Sequence, residues 1–127
     1  MFERREQVLF RHCDPAGLVF YPRYFEMIND CVEAFFASIG FSFEELHKSA
    51  AVPTVQIETS VVAPSRLGDE LTLSLAVMRC SRSSLQLELN AYAQGEHRFV
   101  CNSTLVHVDG QGRSAPWPDA LRAALTA

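Results

Sequence analysis

What the sequence lacks already narrows its function. No run of apolar residues approaches the roughly 20 needed to cross a bilayer as a helix, so no membrane-spanning segment is expected. Lysine and arginine number 11 against 15 aspartates and glutamates, a formal charge of −4, which argues against a broad basic surface for nucleic acid or anionic lipid. Cys13, Cys31, Cys80 and Cys101 form no C-x-x-C pair and have no histidine at zinc-finger spacing, so they read as free thiols. His12, His47, His97 and His107 show neither H-x-x-x-H nor H-E-x-x-H spacing and read as surface or packing residues, leaving no expected metal site. There is no G-x-S-x-G elbow and no glycine-rich phosphate loop, so neither a serine hydrolase nor a nucleoside-triphosphate enzyme has support. The chain opens on a charged stretch, Met1 to Glu6, without an apolar leader segment, and a cytoplasmic location is expected.

What is present suits one domain over residues 1–127. At 48% hydrophobic and 20% charged residues the chain has enough apolar material for a core and none of the signature of disorder. Gln7 to Arg11 reads as a short first strand, followed by the turn formers of Asp14-Pro15-Ala16-Gly17. Pro22 suits the first position of a helix, and Phe25, Ile28, Val32, Phe35, Phe36 and Ile39 recur on one helical face until Gly40. Glu26, Asp30 and Glu33 form the opposite, solvated stripe. Ser42 with Glu45 reads as a capping box for a short helix to about Ser49.

From Pro53 the period changes to two. Val55, Ile57, Thr59 and Val61, then Leu71 to Val77, then Leu85 to Ala91, alternate with polar neighbours, and a last run spans His97 to Val108. The pattern predicts four half-buried strands in an antiparallel meander and a short surface helix from Pro118 to Leu125. An α+β arrangement follows, an antiparallel sheet of about five strands wrapped around one long helix. Its unpaired sheet edges lead us to expect a homodimer as the minimum assembly.

Three features could carry chemistry. Asp14, ahead of Pro15 and Gly17, fits a plain Asx-turn; it equally fits a carboxylate held ionised near a helix start whose free N–H groups can stabilise an oxyanion. Asn29 falls on the apolar side of the long helix and must meet either backbone or a polar group of a ligand. Arg79 and Arg82 at a serine-rich hairpin turn, with Arg66 in another loop, are solvated charge or phosphate contacts.

The string Asp14-Pro15-Ala16-Gly17-Leu18-Val19-Phe20-Tyr21-Pro22-Arg23-Tyr24 closely resembles the signature of the 4-hydroxybenzoyl-CoA thioesterase family of hotdog-fold proteins. The likeness extends in pattern along nearly the whole chain, including Pro64 to Leu71. It implies a hotdog fold and hydrolysis of an aryl or short-to-medium acyl-CoA thioester with no cofactor, coenzyme A being part of the substrate. Asp14 would be the nucleophile or general base, the Tyr21 backbone N–H would polarise the thioester carbonyl, and Gly17 would allow close approach. Asn29, Tyr24 and Phe25 would line the acyl site, and Arg66, Arg79 and Arg82 would meet coenzyme A. Active sites would lie between the subunits of a dimer or tetramer. Two features depart from the pattern: Asn29, standing at a position where aryl-thioesterases can carry an acid, leaves the acyl group open, and the serines at 81, 83 and 84 thin the basic run to which Arg79 and Arg82 would belong as coenzyme A contacts. A non-catalytic acyl-CoA sensor of the same fold is the alternative.

Overall fold

The structure, a computed structural model, describes residues Met1–Ala127. Strand β1 (Phe2–Gln7) leads through a 3-10 turn (Phe10–His12) and a loop into helix α1 (Pro22–Ser38). Helix α2 (Phe43–Leu46), strands β2 (Thr54–Val61), β3 (Glu70–Cys80), β4 (Ser84–Ala93) and β5 (Glu96–Val106), and helix α3 (Asp119–Leu125) follow. The five strands form one antiparallel sheet in the order β1-β3-β4-β5-β2, with α1 lying across its inner face.

Two expectations need correction. The first strand lies earlier than Gln7–Arg11: it is the charged segment Phe-Glu-Arg-Arg-Glu-Gln, paired with β3 from Phe2↔Leu75 to Gln7↔Glu70. Alternation places Phe2, Arg4 and Glu6 inward, and Phe10 to His12 turn away as a 3-10 segment. The four later strands are also not a simple meander. Only β3, β4 and β5 are consecutive neighbours; β2 crosses to the far side of β5, and residues 62–69 carry the chain back across to β3.

The sheet's inner face is the leucine ladder that the alternation predicts. Leu71, Leu73, Leu75, Leu85, Leu87 and Leu89, with Ala91, Phe99 and Cys101, are essentially inaccessible and meet α1. Each leucine so buried contributes roughly 1.5–3 kcal/mol. The β4–β5 turn closes on Gln94 (φ 52°) and Gly95 (φ 76°), the two positive dihedrals of a tight hairpin, so glycine at the second position relieves strain there. Ser42 does cap α2, its hydroxyl accepting from Glu45 N–H at 3.4 Å, but the helix ends at Leu46. Helix α3 docks Leu121 and Leu125 into the core beside Trp117, whose indole N–H donates to the Ser84 carbonyl at 3.2 Å.

The buried face of α1 is rotated from the one expected. Tyr24, Met27 and Cys31 join Ile28, Val32, Phe35 and Phe36 inside, whereas Phe25 is 37% exposed. Strand β2 differs more. Its expected inner row is bare in the single chain: Val55 is 59%, Ile57 41% and Val61 49% exposed. A bulge between Thr54 and Gln56 also puts Val55 out of phase with the residues that follow.

Candidate active site

The loop between the 3-10 turn and α1 is a small closed ladder. Phe20 N–H donates to the His12 carbonyl at 2.9 Å, Cys13 and Val19 bridge, and Asp14 N–H donates to the Leu18 carbonyl at 2.8 Å. Asp14 then closes the Asx-turn: its Oδ1 accepts from Ala16 N–H at 2.9 Å and Leu18 N–H at 3.2 Å. These bonds fix the carboxylate's direction while Oδ2 has no protein partner. The turn reading and the chemical reading of Asp14 are therefore compatible, because one oxygen orients and the other is free.

Gly17 has φ +79°, a conformation other residues resist, and a Cβ there would meet nothing within 4 Å. Backbone shape calls for glycine here, and the space a Cβ would take is open toward the cleft beside Asp14. Gly17→Ala is expected to cost about 1–2 kcal/mol of left-handed strain without a steric clash. Urea unfolding of the two proteins checks it; equal midpoints would contradict the assignment.

Tyr21 precedes Pro22 at the start of α1. Pro22 has no N–H, and the Tyr21 N–H has no acceptor in the protein, so it is a free donor at the positive end of a 17-residue helix. Its side chain is 66% exposed and stacks edge-on with Phe20 at 5.5 Å between centroids. Beside Asp14 a cleft of about 450 Å³ is lined by Phe10, Cys13, Asp14, Pro15, Gly17 and Leu67.

A second loop holds this one in place. Leu67 N–H donates to the Gly17 carbonyl at 3.1 Å, Val19 N–H to Ser65 at 2.9 Å, and Leu18 bridges Arg66. That loop is tied in turn to Arg98, which is 7% exposed and donates through one guanidinium nitrogen to Asp69 Oδ2 at 2.6 Å, Pro64 O at 3.1 Å and Ser65 Oγ at 3.2 Å. Glu96 Oε1 lies 2.8 Å from Arg98 Nε but off the N–H direction, so it adds charge attraction without a well-formed hydrogen bond. The Arg66 backbone N–H and the Arg98 guanidinium hold the Asp69 carboxyl below its usual range.

The sequence reading missed Arg98 for a definable reason. Ala91 pairs with Phe99 and Tyr92 with His97, leaving Arg98 as the extra residue of a β-bulge. A bulge breaks alternation, so no period-two pattern could have flagged it. The Asp69 of Pro64 to Leu71 was the available signal.

The other proposed site residues divide. Arg66 is brought to the Asp14 loop. Tyr24 is not available to a ligand in this chain: it is 3% exposed and packs on Phe99 at 5.0 Å. Asn29 is exposed at the border of the apolar side. Its side chain meets no backbone or other protein partner, and it shares with Phe25, Ile28, Val32, Thr54 and Ile57 an open cleft of about 340 Å³ between α1 and the β2 edge. Arg79, at the far end of β3, and Arg82, in the turn that follows, lie nine or more residues beyond Glu70 and so about 30 Å along the strand from the Asp14 loop. One chain does not bring them to Asp14.

The four cysteines are free. Burial pushes the Cys31 thiol up to about 11 and raises Cys101, so both stay protonated. No three His, Cys, Asp or Glu side chains come together in a way that could hold a metal ion, and no helix is long and apolar enough to cross a membrane.

A sheet wrapped on one long helix, with a loop carboxylate and an open N–H at the helix start, defines a hotdog protein with the elements of an acyl-transfer site. The chain belongs to the Thioesterase-like superfamily, whose model matches residues 8–125. A 1,4-dihydroxy-2-naphthoyl-CoA hydrolase from Synechocystis is 24% identical over 103 residues; the match takes in 80% of this chain but spans only 64% of that relative's length. Among solved structures, a 1,4-dihydroxy-2-naphthoyl-CoA thioesterase from Synechocystis superposes with a TM-score of 0.92 at 20% identity, covering 98% of this chain and 95% of that one. A gentisyl-coenzyme A thioesterase gives 0.89 at 24%, covering 95% and 99%. A Staphylococcus aureus protein in complex with CoA gives 0.93 at 20%, covering 98% and 81%.

Proposed function

We propose that this protein hydrolyses acyl-CoA thioesters, with an aryl acyl group favoured, to the free acid and coenzyme A. The observation that carries the reading is that one hydrogen-bonded loop, between the 3-10 turn and α1, holds both a carboxylate oxygen without a partner (Asp14 Oδ2) and an N–H without an acceptor (Tyr21). Thioester hydrolysis needs both: a group that attacks the carbonyl or draws a proton from attacking water, and a donor where negative charge develops on oxygen. No redox change occurs, so the reaction calls for no electron-carrying cofactor. The family match supports thioester chemistry, and the relatives named for dihydroxynaphthoyl and gentisyl thioesters support an aromatic acyl group. Phe25 and Ile57 offer apolar walls for an aromatic ring, and Asn29 a polar group for a ring substituent.

The working unit in this proposal is a dimer. Of the two sheet edges, β1 carries Glu3, Arg4, Arg5 and Glu6, whereas β2 leaves Ile57 and Val61, with the bulged Val55 beside them, uncovered and carries one charge, Glu58. Charged edges resist pairing and bare apolar ones invite it. Antiparallel pairing of β2 with β2 of a second copy sets the Thr54 end of one chain beside the Val61 end of the other. Arg82, near the Thr54 end, then comes to the same side as the second copy's Asp14 loop, which resolves the separation within one chain. Ile57→Glu is expected to yield monomers and to reduce hydrolysis at least tenfold, since a C2 interface counts the substitution twice. Sedimentation equilibrium with parallel assays checks this; a variant that stays dimeric, or a fully active monomer, would contradict it.

Release of CoA thiol across a panel of benzoyl, hydroxybenzoyl, dihydroxynaphthoyl, phenylacetyl and straight-chain esters tests the substrate class. The expected result is a kcat/KM for one or more aryl esters at least tenfold above the straight-chain esters. Preference for straight chains would refute the aryl assignment.

A further inference from the structure

The geometry points to His12 as a positioning residue that holds the Asp14 carboxylate and the Tyr21 N–H in register through a neutral imidazole. His12 is 2% exposed, though it sits two residues before Asp14 on a loop whose own residues are partly open to solvent. It is bonded at three points. Its Nδ1 accepts from the Leu9 backbone N–H at 2.8 Å, its own N–H donates to the Leu9 carbonyl at 3.0 Å, and its carbonyl accepts from Phe20 N–H at 2.9 Å. The ring bond and the N–H bond close the 3-10 turn behind it; the carbonyl bond fixes Phe20, the residue directly before Tyr21. Thus one residue ties the turn to both ends of the catalytic loop.

The ring bond dictates a protonation state. A backbone N–H can only donate, so Nδ1 must offer a lone pair, and the proton of the neutral ring sits on Nε2. A second proton would set an N–H against the Leu9 N–H and break the turn. The surroundings favour the neutral form. Burial is the largest influence and lowers the imidazole's affinity for a proton; Arg11 of the same turn and Arg23 of α1 act in the same direction, while Glu6 of β1 and Glu26 of α1 oppose them. Arg23 and Glu26 pair with each other at 2.9 Å, which mutes both. The contribution of His12 to loop order is therefore fully present above the ordinary histidine value of 6.5. It is lost as pH falls below 6.5 through the lower folded-state value.

Two measurements test this, and only the kinetic one rests on the thioesterase reading. In 15N-resolved NMR of the whole protein, His12 is expected to show the Nε2–H tautomer at pH 8. The Leu9, Phe20 and Tyr21 amide signals should then shift together as its ring titrates. Amides that stay fixed through that titration, or an Nδ1–H tautomer, would overturn the inference whether or not the protein hydrolyses anything. In kinetics, His12→Leu removes the acceptor and is expected to lower kcat roughly 10²-fold with a smaller change in KM, because the reacting groups are misplaced while the binding cleft remains. His12→Asn places an amide oxygen near the Nδ1 position and should recover most of kcat at pH 8. It should also move the acid limb of kcat/KM to lower pH, since the amide does not titrate. An unchanged acid limb in His12→Asn, or wild-type kcat in His12→Leu, would overturn it. Absence of hydrolysis by the wild type would instead defeat the thioesterase reading and leave the NMR result to decide the role of His12.

Discussion

Replacing Asp14 by asparagine is expected to lower kcat by about 10²–10⁴-fold while leaving the fold and the loop unchanged. The substitution is unusually clean here. Asparagine retains an Oδ1 that can accept from Ala16 and Leu18 N–H, so the Asx-turn survives. What disappears is the charge on the unpartnered oxygen, the group that in the proposed reaction would attack the thioester or take the proton of water. KM should change little, because the carboxylate acts as the carbonyl changes geometry and not in holding the coenzyme. Steady-state assays with thermal unfolding in parallel check it. An active Asp14→Asn protein would reduce Asp14 to a turn residue.

Removal of Arg98 is expected to destabilise the protein by about 3 kcal/mol, because breaking a buried ion pair strands its partner. Arg98→Met keeps most of the stem but leaves the Asp69 carboxylate, the Pro64 carbonyl and the Ser65 hydroxyl without their shared donor. Asp69 is still 23% exposed and recovers some hydration, which sets the value at the low end for such pairs. Asp69 also gives the pair a pH signature. Its folded-state value is depressed, so its contribution is fully present above the ordinary aspartate value of 3.8 and is lost as pH falls through the lower folded value. In Arg98→Met this acid-labile part should shrink but persist, since the Arg66 N–H still bonds Asp69 at 2.9 Å. Urea unfolding at pH 7 and pH 3 measures both effects. Because the loop of residues 64–69 supports Gly17, activity should fall together with stability. A loss under 1 kcal/mol would show that the loop does not depend on Arg98.

The two variants sort the site into what was legible in the sequence and what was not. Asp14, Gly17 and Tyr21 are neighbours along the chain, so their joint placement follows from local rules: an Asx-turn, a positive φ and a helix opened by Pro22. The long helix and the β3 and β4 ladders were equally plain, since Leu71 to Leu89 repeat with the period of a strand buried on one face. Strand β1 escaped because an edge strand protected by Glu3, Arg4, Arg5 and Glu6 lacks the apolar alternation by which strands are read. The more apolar Val8-Leu9-Phe10 drew the assignment instead. Tyr24 and Phe25 are adjacent on a wide apolar stripe. Which of them is buried is decided by Phe99, 75 residues on, and no helical period contains that contact. Arg98 and Asp69 meet across 29 residues through a bulge. Arg79 and Arg82 read as coenzyme A contacts from their charge and from the resemblance, but strand length separates them from Asp14 within one chain, and the proposed second copy would be needed to bring them to it.

Turnover of one aryl-CoA ester by the wild-type protein, with binding of the same ester by the wild type and by Asp14→Asn, decides whether this protein cleaves acyl-CoA or only holds it. CoA thiol release measures the first and calorimetric titration of both proteins the second. Multiple turnovers per subunit by the wild type, and intact ester bound but scarcely cleaved by the variant, are expected. Binding to both proteins with no CoA released by either would contradict this and identify the fold here as an acyl-CoA sensor.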